Sequence, residues 1–238
     1  MSRNTPLSNP SQLSLPVYLP DDETFASFYP ANNEELLNVM SSLGDQSHSQ
    51  FFYLWGAAKS GKTHLLHACC ASAQEQGLQT FYIPFEMYAS MSVAILENLD
   101  SLPLICLDNI DNVAGNPLWE EALFDLYNRV KEAGGTLVVS ANHSPTQNDF
   151  QLPDLVSRLS WGLSYQVHSM SDEDKLAAMQ QRGEARGLVL TDEVVKYLFN
   201  RLDRDLRTLF DTLDRLDKAS MQAQRKLTIP FIKDTLKL

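Results

Sequence analysis

At 238 residues the chain is long enough for one α/β domain and a smaller second piece. Its apolar content of 44% and mean hydropathy of −0.23 are those of a globule, and its longest apolar runs, such as Leu102 to Leu107, are strand-length, which argues against a membrane-spanning helix. A net charge of −11 and a pI near 4.8 argue against broad binding along a nucleic-acid backbone, which needs clustered Lys and Arg.

Residues 1–21 hold prolines at 6, 10, 16 and 20 with no helical periodicity and read as an extended, disordered tail. The start Met1 to Pro6 has no apolar core behind a basic end, so it does not read as a secretory signal. From Phe25 to Gly44 the pattern predicts a helix, with Leu36, Leu37, Met40 and Leu43 on one face.

The apolar run Phe51 to Trp55 is a strand, and it leads into Gly56-Ala57-Ala58-Lys59-Ser60-Gly61-Lys62-Thr63, a complete Gly-x-x-x-x-Gly-Lys-Thr loop. A helical stretch to Gln76 follows. Strand, glycine loop and helix in that order are what phosphate binding requires. Glycines let backbone N–H groups turn inward around an anion, and the helix N-terminus adds partial positive charge. Lys62 then reaches the outer phosphates, and the Thr63 hydroxyl ligates Mg²⁺. Gly56, Lys59, Ser60, Gly61, Lys62, Thr63 and the adjoining His64 are therefore candidate nucleotide-binding residues. His64 and His67 share a helix face, but no cluster of further ligands nearby in sequence supports a metal site there.

A strand over 79–84, a helical region near 86–98 and a strand over 103–107 come next. Leu104-Ile105-Cys106-Leu107-Asp108 ends an apolar strand in a carboxylate, which suits Mg²⁺ held beside the loop through Thr63 and Asp108. Read alone, that acid is a strand cap; it is the complete phosphate loop upstream that favours the Mg²⁺ reading. Asn109 stands where a second acid would polarise an attacking water, and an amide cannot act as a general base. A helix over 117–133 and a strand over 136–141 follow, closed by Ser140-Ala141-Asn142. Asn142 is placed to orient water near a terminal phosphate, or simply to start the turn before Pro145. A short strand near 164–168 completes the alternation, whose apolar strands predict a parallel sheet covered by helices on both faces.

Beyond His168 the pattern is helical only. Ser171 and Asp174 form an N-cap pair opening a helix to about Arg186, Thr191 caps a second, Leu206 to Leu216 line a third, and Pro230 opens a short last one. Charge divides at the same place: residues 1–170 carry 18 acidic and 6 basic side chains, and 171–238 carry 12 and 13. The division expected is 1–21 tail, 22–169 α/β domain and 170–238 helical lid. Cys69, Cys70 and Cys106 give no disulfide framework and read as buried thiols of a cytoplasmic protein.

On these residues the chain resembles the DnaA-like AAA+ ATPases from about residue 22 to 238. The resemblance rests on Thr24 to Phe28, on Gly56 to Thr63 with His64 to Ala68, and on Asp108. It continues through Ser157-Arg158-Leu159-Ser160-Trp161-Gly162-Leu163, Arg204-Asp205-Leu206 and Leu227 to Ile232. It implies an AAA+ P-loop NTPase core followed by a small all-helical lid, with ADP or ATP and Mg²⁺ as cofactors. The base would lie near Tyr29 and Pro30. It also implies Arg158 as an arginine finger acting in trans, Asn142 as the sensor at the end of the inserted strand, and Arg204 as the lid arginine. Asn109 and Asn142 depart from the acids usual at those positions, which implies slow hydrolysis by the chain itself and a functional ADP state. The pattern stops at Leu238, short of the DNA-binding domain that follows in DnaA, so direct sequence-specific DNA contact is not expected.

In the tail, Gln12-Leu13-Ser14-Leu15-Pro16 is similar to the Gln-Leu-x-Leu-Phe peptide by which bacterial proteins bind the DNA sliding clamp, with Pro16 in place of the aromatic residue. Gln12, Leu13 and Leu15 are its candidate contacts. The combination resembles the regulatory members of the family, whose partners are the clamp and DnaA itself; a homo-oligomer is a further expectation, and a membrane is not. The other reading is an independent AAA+ ATPase that remodels or loads a replication protein.

Overall fold

The computed structural model describes residues 23–43 and 50–237. The tail and its peptide Gln12, Leu13 and Leu15 lie outside these residues. Helix α1 spans Glu34–Ser41 and precedes strand β1, Gln50–Trp55, and helix α2, Lys62–Glu75. Strands β2 (Thr80–Pro84), β3 (Leu104–Asp108) and β4 (Thr136–Ala141) follow, with helix α3, Pro117–Ala133, between the last two. Helix α4, Pro153–Trp161, and strand β5, Leu163–Gln166, close the α/β part.

The five strands form one parallel sheet in the order β2-β3-β4-β1-β5. Strict alternation along each strand feeds two cores. Tyr53, Ile105, Leu107, Leu137 and Val139 face α3 and α4; Phe52, Leu54, Leu104, Cys106 and Val138 face α1 and α2. Both faces are covered, as the continuously apolar strands predicted. All three cysteines are buried free thiols.

Four helices follow: α5 (Asp172–Ala185), α6 (Asp192–Arg201), α7 (Leu206–Ala223) and α8 (Ile229–Leu236). They enclose a third core of Met179, Leu198, Phe199, Leu209, Leu213, Phe231 and neighbours. Ser171 and Asp174 make the reciprocal cap expected of them, and Thr191 and Thr228 cap α6 and α8.

Three elements differ from the sequence expectation. The helix expected over Phe25 to Gly44 begins only at Glu34. Thr24 and Ser27 bond each other's side chains and backbone, Pro30 disfavours helical geometry at Tyr29, and Ala31 adopts a φ of 45°. The region near 86–98 is two short 3₁₀ stretches, Phe85–Ser90 and Val93–Leu96. Helix α4 was not anticipated, although Pro153 at its first turn and Leu155 and Leu159 one turn apart on its buried face were signals for it.

Candidate functional site

Strand β4 lies between β1, which feeds the glycine loop, and β3, which ends in Asp108. That order brings the C-terminal ends of three strands to one place. Gly61 has a φ of 103°, and a Cβ there would stand 2.9 Å from the Phe28 ring, so only glycine allows the turn and the close approach together. At Gly56 an added Cβ would collide with the Val167 carbonyl. Lys62 is buried and donates from Nζ to the carbonyls of Gly56 at 2.7 Å and Ala57 at 2.9 Å, with Asn142 Oδ1 at 3.4 Å. Burial pulls the Lys62 pKa below its usual value, against Asp108 and Asp111, which favour the charge. Ser60 Oγ is buried with no hydrogen-bond partner among the described residues. A cationic group short of compensation, an orphaned hydroxyl and a helix N-terminus converge on one cradle, and an anion such as a phosphate fits all three.

Asp108 is buried at the end of β3 and accepts from three hydroxyls: Thr63 at 2.7 Å and Tyr82 at 2.8 Å on Oδ2, and Ser140 on Oδ1. Ser140 in turn accepts from the Asn109 backbone N–H at 2.8 Å. Burial and the negative charge of Asp108 push the Tyr82 phenol well above its usual range, so it stays a donor. Thr63 and Asp108, expected as the Mg²⁺ pair, are thus in direct contact, and two oxygens so placed suit a hard divalent cation. The Asn109 side chain turns away and donates to Glu86 at 3.2 Å. Asn142 meets Asp111 instead, a carboxylate the motifs did not single out.

His64 serves the N-terminal segment. Its Nε2 donates to the Thr24 carbonyl at 2.9 Å, with Ser27 Oγ at 3.3 Å, and its ring stands edge-on to Phe28. His67 pairs with Glu23 at 2.5 Å and packs on the Tyr82 ring. No cluster that would hold a metal through His, Cys, Asp and Glu occurs among the described residues. Tyr29 and Pro30 follow Phe28, and their segment is tied down by Asn33, which accepts from the His168 N–H at 2.8 Å and donates to its carbonyl at 3.1 Å.

Across the cleft, the turn before α7 faces the loop: Lys59 pairs with Asp205 at 3.7 Å, and Arg207 reaches Glu23 at 3.3 Å. Arg204 pairs with Asp172 at 2.6 Å over the Phe199 ring, within the lid. Arg158 sits apart on α4, its guanidinium over the rings of Trp161 at 4.9 Å, Tyr127 at 5.9 Å and Phe124 at 6.0 Å. Trp161 itself is 66% exposed. Residues that sequence reasoning missed are Asp111, Tyr82, Ser140 and Glu23; each acts through a neighbour distant in sequence.

The family profile described as bacterial DnaA ATPase domain matches residues 19–166, and that of the Hda lid domain matches residues 172–236. Among solved structures, domain III of the Thermotoga maritima replication initiation protein DnaA superposes with a TM-score of 0.70 at 22% identity, covering 92% of this chain and 98% of that one. AMPPCP-bound DnaA from Aquifex aeolicus gives 0.69 at 19%, over 87% of this chain and 68% of its own. The Holliday junction motor RuvB of Thermotoga maritima gives 0.61 at 14%, over 90% and 73%. At these identities the superpositions establish the fold, an AAA+ α/β core with a helical lid. The profile over most of the chain establishes the kinship: the chain belongs to the DnaA-related AAA+ family, with an ATPase domain of the bacterial DnaA kind and a lid of the Hda kind.

Proposed function

We propose that this replication-related AAA+ protein is a regulator of initiation that works in an ADP-bound state, associates with the sliding clamp and promotes hydrolysis of ATP bound to DnaA. The cradle at residues 56–63 supports the nucleotide, and adenine-nucleotide analogues bound by DnaA relatives point to its kind. Gly56, Lys59, Ser60, Gly61, Lys62 and Thr63 would hold the phosphates, Tyr29 and Pro30 the base, and Thr63 with Asp108 the Mg²⁺, which supplies charge neutralisation. Arg204 would have to leave Asp172 to reach the nucleotide. The lid of the Hda kind supports a regulatory role, and the net charge of −11 favours protein partners over direct DNA contact.

The observation that carries the reading is Arg158. Among the described residues no carboxylate pairs with it; aromatic faces hold it instead, half-exposed on the outside of α4. An always-charged fork presented in this way suits a phosphate bound by a neighbouring molecule, where it would stabilise charge on the transferred phosphoryl group. The partner would be DnaA or a second copy of this chain. Single-turnover hydrolysis of DnaA-bound ATP, with clamp and DNA present, is the test. Arg158→Ala should retain the fold and nucleotide binding and lose stimulation by about 10³-fold. Undiminished stimulation by the variant would leave the trans mechanism without a residue to carry it. The alternative, an independent ATPase, draws on the carboxylate of Asp111 beside Asn142 and requires rapid multiple turnover by the purified chain alone.

A further inference from the structure

Asp111 lies in the 3₁₀ turn Ile110–Val113, just beyond β3. Its Oδ2 accepts twice from one residue, from Asn142 Nδ2 at 2.7 Å and from the Asn142 backbone N–H at 3.3 Å. A carboxylate can only accept, so the amide nitrogen of Asn142 must face Asp111 and the amide oxygen must face away from it. That oxygen is the atom 3.4 Å from Lys62 Nζ. Asp111 Oδ1 is buried with no hydrogen-bond partner among the described residues, so Asn142 is the carboxylate's only partner among them. The wall of the cradle beside Lys62, at the end of the strand between the loop and Asp108, therefore offers an acceptor, the Asn142 amide oxygen, where the opposite amide orientation would offer a donor.

We propose that Asp111 is a positioning residue that locks the Asn142 amide oxygen toward the phosphate cradle, and so makes the site discriminate against a nucleoside triphosphate in favour of a diphosphate. This rests on the nucleotide reading above and assigns its selectivity to a residue pair. The oxygens of a terminal phosphoryl group are acceptors carrying negative charge. A wall turned the other way would donate to them; this wall repels them, and water cannot compensate fully once the site is closed. A diphosphate brings one phosphoryl group fewer, so no terminal phosphoryl oxygens need face the Asn142 amide oxygen. The selectivity is thus built from hydrogen-bond polarity at one amide.

Calorimetric titration of the full chain with Mg-ADP and Mg-AMPPCP tests this, with melting temperature measured alongside. The wild type should bind ADP more tightly. Asp111→Ala should move the affinity ratio toward AMPPCP by roughly tenfold, the size of one charge-assisted hydrogen bond. Asp111→Asn, which keeps the shape but can donate, should move it the same way if the alanine variant folds poorly. Asn142→Ala should also relax the ratio, and adding Asp111→Ala to it should change nothing further.

A parallel loss of both affinities would make Asp111 merely structural. An equal shift in the Asn142→Ala background would assign the effect to the charge of Asp111 alone. An unchanged ratio with loss of intrinsic hydrolysis would make Asp111 the water-polarising base. Each of these overturns the proposal. A wild type that binds neither ligand would instead remove the nucleotide reading itself, and the proposal with it.

Discussion

Lys62 shows how much one side chain depends on a ligand. It is 4% exposed; two of its three donors go to the loop's own carbonyls and the third lies toward Asn142 Oδ1. Removing it should weaken ADP binding by roughly a hundredfold, since charge-assisted hydrogen bonds to phosphate are lost. The stability of the unliganded chain should change little, because the deleted ammonium is costly to bury. Titration of Lys62→Ala checks the first point and thermal melting the second; unchanged ADP affinity would end the nucleotide reading. At this scale the candidate site was legible where its residues are contiguous: Gly56 to Thr63 and the run ending in Asp108 each fit within one strand and its turn. Asp111, Tyr82 and Ser140 were not, because their roles arise between β2, β3 and β4, and neighbouring strands share no sequence spacing. Asn109 shows the same limit from the other side. It follows Asp108 directly, yet its side chain bonds Glu86, and the carboxylate that meets Asn142 is Asp111.

Among the elements, the segment Glu23 to Phe28 behaves as a strap across α2. His64 and His67 hold it through Thr24 and Glu23, and Phe28 lies on Gly61. Burial holds the His64 pKa below its ordinary 6.5, against the Thr24 carbonyl and the charge of Glu23, with His67 and Arg182 adding to the depression. The unfolded chain therefore takes up the proton first. The contribution of His64 to stability is full above pH 6.5 and falls as acidification approaches the folded value. Burial would raise the Glu23 pKa, but the hydrogen bond and charge of His67 together with His64 and Arg207 prevail and hold it below 4.5, so its contribution is lost at still lower pH. Urea midpoints should fall on acidification in that sequence, and His64→Gln should flatten the first part; an unaltered slope would separate His64 from the effect. The strands and most helices were legible from alternation and caps. The strap was not: side chains of Thr24 and Ser27 compete for the backbone that the apolar pattern assigned to a helix.

In the molecule as a whole, two sheet-face cores and the lid core are separate clusters. The bridges Lys59–Asp205 and Arg207–Glu23 cross from core to lid with their cations largely exposed, so each contributes under about 1 kcal/mol. A nucleotide between the parts would dominate such contacts. If the tail peptide is the clamp contact, truncating residues 1–20 should abolish clamp binding in a pull-down while melting temperature and ADP affinity stay as they were; retained binding would place the contact elsewhere. The strap also sets a leash. Glu23 is fixed against His67, and Leu15 is eight residues upstream, so whatever path the chain takes Leu15 stays within about 29 Å of that anchor. A partner gripped at Leu15 would be tethered within that reach of the anchor, at raised local concentration. Lengthening the leash with inserted Gly-Ser repeats would dilute that proximity without touching either binding surface.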